Sequence, residues 1–300
     1  MTHALLLLPD FVLIALGWVV CRHTPLGRPV WDGVERLVYY LLFPALLFGA
    51  IVRYPLQPGT LLPLAGSTLA AVGVGIVLAM ALKRAPGVDA RLHASGAQTA
   101  FRFNTYVALA LAERVGGTQG LAWMALLVAV SVPVCNVAAV WPLARQGGQG
   151  VLRELARNPL ILATVAGLAC NLLGLRVPEI VALTLSRMGA AALPLGLMAV
   201  GAGLQVGALR ESPRLAAAFM TIKHLAMPLT ALLLVRAFGL PIEQQLIVVA
   251  FCAMPTASSA YVLAVRMGGH GGFVAGLVSL STLIAMLTLP ATLALLQAWR

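Results

Sequence analysis

Two apolar stretches of this sequence are interrupted near their middle by polar residues, and these interruptions are where chemistry is most to be expected. Proline has no amide hydrogen and opens a helix, while asparagine and threonine side chains replace lost backbone hydrogen bonds or contact a ligand. Freed amides at a helix N-terminus favour anions, and freed carbonyls favour cations. We therefore predict one substrate site built from both interruptions, the alternative being polar-lined kinks that only help helices pack. Its predicted members are Arg102, Asn104, Thr105, Pro255, Thr256, Ser258 and Ser259.

Arg102 is the most informative single residue of this set. It lies about nine residues into its apolar stretch, or roughly 13 Å at 1.5 Å per residue, which is too deep for an anchor at a helix end. Arg187 and Lys223 also fall near the middle of apolar stretches, and Asp10 is the only carboxylate placed as deeply. One acid does not neutralise three bases, so we expect water and an anionic substrate to reach them. The alternatives are an ion pair with Asp10, or cations that extend to an interface or bind helix C-terminal carbonyls.

Signatures of enzymes are missing from the sequence. The five histidines contain no pair at i,i+4 and no H-E-x-x-H, and there is no G-x-x-x-x-G-K-[ST] phosphate loop. We predict no catalytic residue, no metal ligand set and no cofactor, while coupling to sodium or protons stays open.

The composition indicates a membrane protein. Hydrophobic residues make up 61% of the 300 residues and charged residues only 10%, against about 25% in soluble domains. The net charge of +11 is spread singly through short connectors, without the basic tract that nucleic acid binding requires. The bilayer is therefore the predicted partner, and nucleic acid is not.

Ten apolar stretches are long enough to span a bilayer. If the N-terminus is outside, twelve Lys and Arg residues fall in inner connectors and five on the outer side, which favours that orientation. We predict a multi-pass protein of the inner (plasma) membrane with both termini outside the cytoplasm. The stretches are 2–21, 35–52, 60–82, 94–112, 120–143, 158–175, 178–204, 213–238, 242–264 and 272–297.

The sequence also repeats itself. Pro9, Pro44 and Pro63 each have a proline 150 residues later, and after the offset changes to 152, Asn104 matches Thr256. The predicted units are a five-helix repeat (1–143), a cytoplasmic linker (144–157) and a second five-helix repeat (158–300). An odd number of spans gives the repeats opposite orientations, which is typical of alternating-access transporters. The predicted fold is an all-α membrane protein with ten transmembrane helices in two inverted repeats, helices 4 and 9 being broken and crossed.

Several motifs together resemble one family over essentially the whole chain. These motifs are Leu42–Phe48 (LFPALLF), Asn158–Ile161 (NPLI), Gly189–Leu197 (GAAALPLGL) and Met254–Ala257 (MPTA). They are similar to those of the auxin efflux carrier family, in the bile/arsenite/riboflavin transporter superfamily.

This resemblance implies a ten-helix fold shared with the bile-acid sodium symporters, in which helices 4 and 9 unwind and cross and one part moves against the other like an elevator. Plant members export the carboxylate auxin, and bacterial relatives are associated with malate, malonate and similar acids. By resemblance, Asn104 falls on the first crossover and Pro255 on the second. Thr105–Leu109 departs from the family pattern, which often has a proline and glycines there.

The predicted function is secondary transport of a small organic anion, a carboxylate being the expected class, by a dimer-capable carrier. Two alternatives remain at this point: a sodium-coupled organic-anion symporter of the bile-acid type, and a membrane receptor or channel.

Overall fold

The computed structural model describes residues 3–53, 58–144, 159–204, 211–257 and 259–298. Every regular element within these ranges is a helix. Leucine-rich and alanine-rich stretches adopt this form in a bilayer because a helix satisfies its own backbone hydrogen bonds where no water is present. The prediction of an all-α protein is confirmed.

The helices follow one another along the chain with short connections. They are α1 (His3–His23), α2 (Arg28–Arg53), α3 (Pro58–Ala81), α4 (Ala90–Gly96), α5 (Thr105–Ala144), α6 (Pro159–Leu172), α7 (Glu179–Ala202), α8 (Pro213–Ala237), α9 (Ile242–Ala253), α10 (Ser259–Arg266) and α11 (Gly271–Ala298). Helix α5 bends sharply at Gly117, whose φ of 54° lies in the left-handed region that glycine tolerates.

Six helical stretches in the described ranges have the length and apolar composition needed to cross a membrane. Three further apolar helices are shorter, and the total of ten spans stays a prediction. The long stretches are Arg28–Arg53, Leu61–Arg84, Ala90–Leu143, Glu179–Ala202, Pro213–Ala237 and Gly271–Leu296; the shorter ones are Phe11–His23, Leu162–Leu172 and Ile242–Ala253.

The helices pack as two groups. Helix α7 contacts α1 and α2, and α2 contacts α6; these four helices form what we name the four-helix layer. Helices α3, α4, α5 and α8 to α11 form the second group, which we name the core bundle. The groups meet where α2 and α7 pack against α5 and where α1 packs against α11.

Two glycine contacts inside the four-helix layer mirror each other. Gly17 of α1 lies against the backbone carbonyl of Met198 in α7, and Gly167 of α6 lies against the backbone of Phe48 in α2. Gly17 and Gly167 are 150 residues apart, and so are Phe48 and Met198. Small residues allow such close approach of membrane helices. The two pairs of helices are therefore packed in the same way, by residues at matching positions.

Both interruptions expected from the sequence are present, and both lie in the core bundle. Helix α4 tightens into a 3-10 turn at Ala97–Ala100, and residues 101–104 are irregular before α5 begins. Helix α9 ends at Ala253, and residues 254–257 are irregular before α10 begins at Ser259. The N-termini of α5 and α10 thus both start at the interruptions.

The close contact between α1 and α7 predicts different effects on stability when alanine replaces each of two glycines. Alanine at Gly201 would place its Cβ against the carbonyl oxygen of Ile14, whereas a Cβ at Gly73 of α3 meets nothing within 4 Å. We expect Gly201→Ala to destabilise the protein by about 1–3 kcal/mol through overpacking. Gly73→Ala should be neutral or stabilising, because alanine is the better helix former by about 1 kcal/mol.

Thermal unfolding of the purified protein in detergent measures both variants. A Gly201→Ala variant as stable as Gly73→Ala would show that α1 and α7 do not approach this closely.

Candidate functional site

The two irregular segments are hydrogen-bonded to each other. The backbone N–H of Asn104 donates to the carbonyl oxygen of Pro255 at 2.8 Å. The hydroxyl of Thr256 donates to the carbonyl oxygen of Thr99. Each interruption therefore satisfies backbone groups that the other has freed. We name these two segments, residues 99–104 and 254–257, the crossing.

Asn104 caps the helix that begins at the crossing. Its side-chain Oδ1 accepts from the backbone N–H of Tyr106 at 3.0 Å and of Val107 at 3.3 Å, as expected of an asparagine N-cap. Its Nδ2 is buried and has no hydrogen-bond partner within the described residues. Thr105, the first residue of α5, is half-buried beside it. Both roles expected for Asn104 are thus available, since the oxygen replaces backbone hydrogen bonds and the amide group remains a donor.

Arg102 connects three elements of the core bundle. Its guanidinium donates to Oε1 of Gln98 and Oδ1 of Asn136, both at 3.0 Å, and to Oγ of Ser259 at 3.3 Å. The side chain is half-buried, and Ser259 is exposed at the start of α10. None of these three acceptors carries a charge, and together they hold the guanidinium in place.

Gln98 and Asn136 are parts of this site that were not predicted from the sequence. Besides accepting from Arg102, Gln98 donates through Nε2 to the carbonyl oxygens of Ser95 and Ala260, both at 3.1 Å. In the sequence, Gln98 and Asn136 each have an amide side chain inside an apolar stretch. Burying such a group in a bilayer is costly unless it is hydrogen-bonded. Their contacts with Arg102 depend on packing and are not visible in the spacing of residues.

A chain of hydrogen-bonded polar side chains contacts the backbone of the second interruption. The backbone N–H of Thr256 donates to Oγ of Ser281 at 2.9 Å. The ring of His224 contacts the same hydroxyl through Nε2 at 2.8 Å, and Thr288 through Nδ1 at 3.2 Å. His224 and Ser281 were not predicted from the sequence either, in which no two histidines form an i,i+4 pair. An amide freed at residue 256 thereby has a partner inside the fold.

The remaining predicted residues occupy different environments. Lys223 is fully buried on a π-helical turn of α8. Arg187 is exposed on α7 in the four-helix layer. Asp10 lies on α1 and its side chain is outside the described residues, as is Ser258. The structure thus brings Arg102, Asn104, Pro255, Thr256 and Ser259 together at the crossing.

The crossing faces the four-helix layer through Tyr106. The Tyr106 ring packs against the ring of Phe43 in α2, with centroids 4.7 Å apart. It also lies against Gly196 in α7, where an added Cβ would be 3.0 Å from the Tyr106 ring. Because Tyr106 directly follows the Asn104 cap, the crossing lies beside the boundary between the two groups of helices.

Comparisons with known proteins indicate a membrane transport protein. A family model described as membrane transport protein matches residues 143–293. The chain is also 24% identical over 308 aligned positions to a protein of Rhizobium meliloti (strain 1021) named "Putative malonate transporter". The aligned region covers 98% of this chain and 95% of that protein.

The hydrogen bond between Thr256 and Thr99 generates a second stability prediction. Thr256→Val keeps the shape of the side chain but leaves the buried carbonyl of Thr99 without this donor, which should cost about 1–3 kcal/mol. Thr256→Ser keeps the hydroxyl and should recover most of the loss. Thr184→Val is the matched control, because Thr184 is exposed and donates only within its own helix.

Chemical denaturation in mild detergent gives the three free energies of unfolding. Equal losses at positions 256 and 184 would mean that the Thr256 hydroxyl does not hold the crossing together.

Proposed function

We propose, since this chain belongs to the membrane transport protein family that includes the auxin efflux carriers, that it is a secondary transporter of small carboxylates whose substrate binds at the crossing. The chain is a membrane transporter and not an enzyme. The single observation that carries the substrate class is the set of donors and positive charge collected at the crossing.

A carboxylate fits these donors because it is an acceptor only. The guanidinium of Arg102 supplies positive charge, and Nδ2 of Asn104 is a buried donor without a partner in the described part of the chain. The N-termini of α5 and α10 start on either side and carry partial positive charge. In this proposal Ser259 is a weaker contact, and Thr256, whose N–H and hydroxyl bind Ser281 and Thr99, holds the second segment in position beside the substrate.

A dicarboxylate is the proposed substrate type. The name of the Rhizobium meliloti relative refers to malonate, and a small dianion supplies acceptors for the guanidinium of Arg102 and for the donors beside it. We propose malonate and similar short dicarboxylates as the first compounds to test, with indole carboxylates as the comparison class.

We further propose that transport follows an elevator-type alternating access mechanism, in which the core bundle moves against the four-helix layer. The position of the crossing beside the boundary of the two groups supports this, because a substrate there becomes accessible from either side when one group slides. The matching contacts of Gly17 with Met198 and of Gly167 with Phe48 support two inverted five-helix repeats and ten spans. The proposal places the protein in the inner membrane, with both termini outside the cytoplasm, as a dimer-capable carrier.

The substrate site is tested by uptake of labelled malonate into proteoliposomes. We expect saturable uptake by the wild type and at least about a tenfold loss for Arg102→Ala and for Asn104→Ala, since each removes a donor from a site of low dielectric. Arg176→Ala is the control, because Arg176 is an exposed cation between α6 and α7. The site assignment fails if both Arg102→Ala and Asn104→Ala transport like the wild type.

The two alternative functions are tested with the same vesicles. A receptor or channel gives no saturable counterflow. With a carrier, vesicles preloaded with unlabelled malonate take up labelled malonate faster than empty vesicles. A sodium-coupled symporter loses uptake when choline replaces sodium; we expect uptake to persist, because the chain has only nine Asp and Glu residues to draw on as cation ligands.

A further inference from the structure

A lysine buried behind the crossing is a charged group that the proposed function does not yet use. Lys223 is 0% exposed, and its Nζ has no hydrogen-bond partner among the residues that the structure describes. Removing an unpaired ammonium from water is costly. Because buried polar groups are nearly always satisfied, an orphan of this kind points to a partner that binds from outside the chain.

Lys223 lies on an irregular turn that contacts the elements leading into both halves of the crossing. The π-helical turn Ile222–Ala226 of α8 packs against the 3-10 turn Ala97–Ala100 and against α9. These are the two elements that lead directly into the interruptions. Single π-helical turns inside α-helices occur frequently at functional sites.

Two buried thiols locate the ammonium more closely. The thiols of Cys252, three residues before Pro255, and of Cys135 in α5 lie within electrostatic range of Lys223. The Cys135 thiol donates to the carbonyl oxygen of Phe101 at 3.8 Å and is also within the electrostatic range of Arg102. Lys223 and Arg102 therefore act on the same region from two different elements.

Three of the four unsatisfied polar atoms in the described part of the core belong to groups that donate hydrogen bonds. The four are Nζ of Lys223, Nδ2 of Asn104, Oγ of Ser131 and Oε1 of Gln244, and the first three are groups that donate. Ser131 lies one helical turn from Cys135 on the same face of α5. What these donors lack is an acceptor, and a carboxylate supplies acceptors only.

We infer that Lys223 supplies a second positive charge to the anion site, in addition to that of Arg102, and that its ammonium, held inside the core bundle, makes the crossing prefer substrates with two carboxylates over substrates with one. This inference rests on the proposed function and adds to it a specificity-determining residue. Coulombic energy is proportional to the charge of the ligand. Removing the Lys223 charge therefore changes the binding free energy of a dianion about twice as much as that of a monoanion of the same shape. The Kd of the dianion then rises by about the square of the factor by which the Kd of the monoanion rises.

Calorimetric binding of malonate and of its monoamide, in which one carboxylate is replaced by a neutral amide, measures this charge dependence on the purified full chain. For Lys223→Met we expect the Kd of the monoamide to rise about tenfold and that of malonate about a hundredfold. Lys223→Arg keeps the charge and should keep the preference for malonate. Lys83→Met is the matched control, because Lys83 is the only other lysine of the chain and is exposed after α3.

The outcomes separate this inference from the proposed function. If the wild type binds neither ligand, the carboxylate site itself is refuted. If the wild type binds malonate but Lys223→Met binds both ligands as well as the wild type, or loses both by the same factor, the carboxylate site stands and the role of Lys223 is refuted.

A measurement on the unmodified chain covers the case in which Lys223→Met does not fold. With only two lysines, protein labelled with ¹⁵N-lysine gives two side-chain signals. We expect the Lys223 signal to be that of an ammonium group and to shift on addition of malonate, while the Lys83 signal stays unchanged. A Lys223 signal that is the same with and without saturating malonate overturns the inference.

Discussion

Backbone amides and carbonyls inside a bilayer have no water to bind, so a helix that stops in mid-membrane must have its freed groups satisfied by the protein. In this chain two helices stop, and each supplies part of what the other needs. The amide of Asn104 binds the carbonyl of Pro255, and the hydroxyl of Thr256 binds the carbonyl of Thr99. The surrounding helices complete the set, with Ser281 accepting from the amide of Thr256. The rest of the core bundle is arranged around this exchange of hydrogen bonds.

The same constraint explains why the crossing is suited to binding. Satisfying an interruption requires polar side chains at a depth where they are otherwise excluded, and some of their atoms remain without partners in the described residues. Asn104 shows this division most clearly, because its oxygen caps α5 while its amide nitrogen is left over. Donors left over in a low-dielectric region bind an anion more strongly than the same donors would in water. The structural role of these residues therefore creates their capacity for function.

The candidate site was predictable in its backbone and only partly predictable in its side chains. Pro255 by itself predicts a break in its helix because proline has no amide hydrogen. The offset of 152 residues then pairs that break with Asn104. Gln98, Asn136, His224 and Ser281 were not found, although each is polar within an apolar stretch. Their roles depend on neighbours that are distant in sequence: Gln98 contacts Ala260, and His224 contacts Ser281. No periodicity within one helix encodes such contacts, because they follow from how separate helices are placed beside one another.

The contrast among the three deep cations shows where sequence information ends. Arg102, Arg187 and Lys223 look alike in the sequence, each being a base within an apolar stretch. In the structure Arg102 is held by neutral acceptors, Arg187 is exposed on the four-helix layer, and Lys223 is enclosed without a partner among the described residues. The sequence by itself determined that the chain is a helical membrane protein and where two of its helices break, because hydropathy and backbone preferences are local properties. Only the tertiary structure decided which charges are held by neutral side chains, exposed or enclosed, because burial and pairing are set by contacts between segments far apart along the chain.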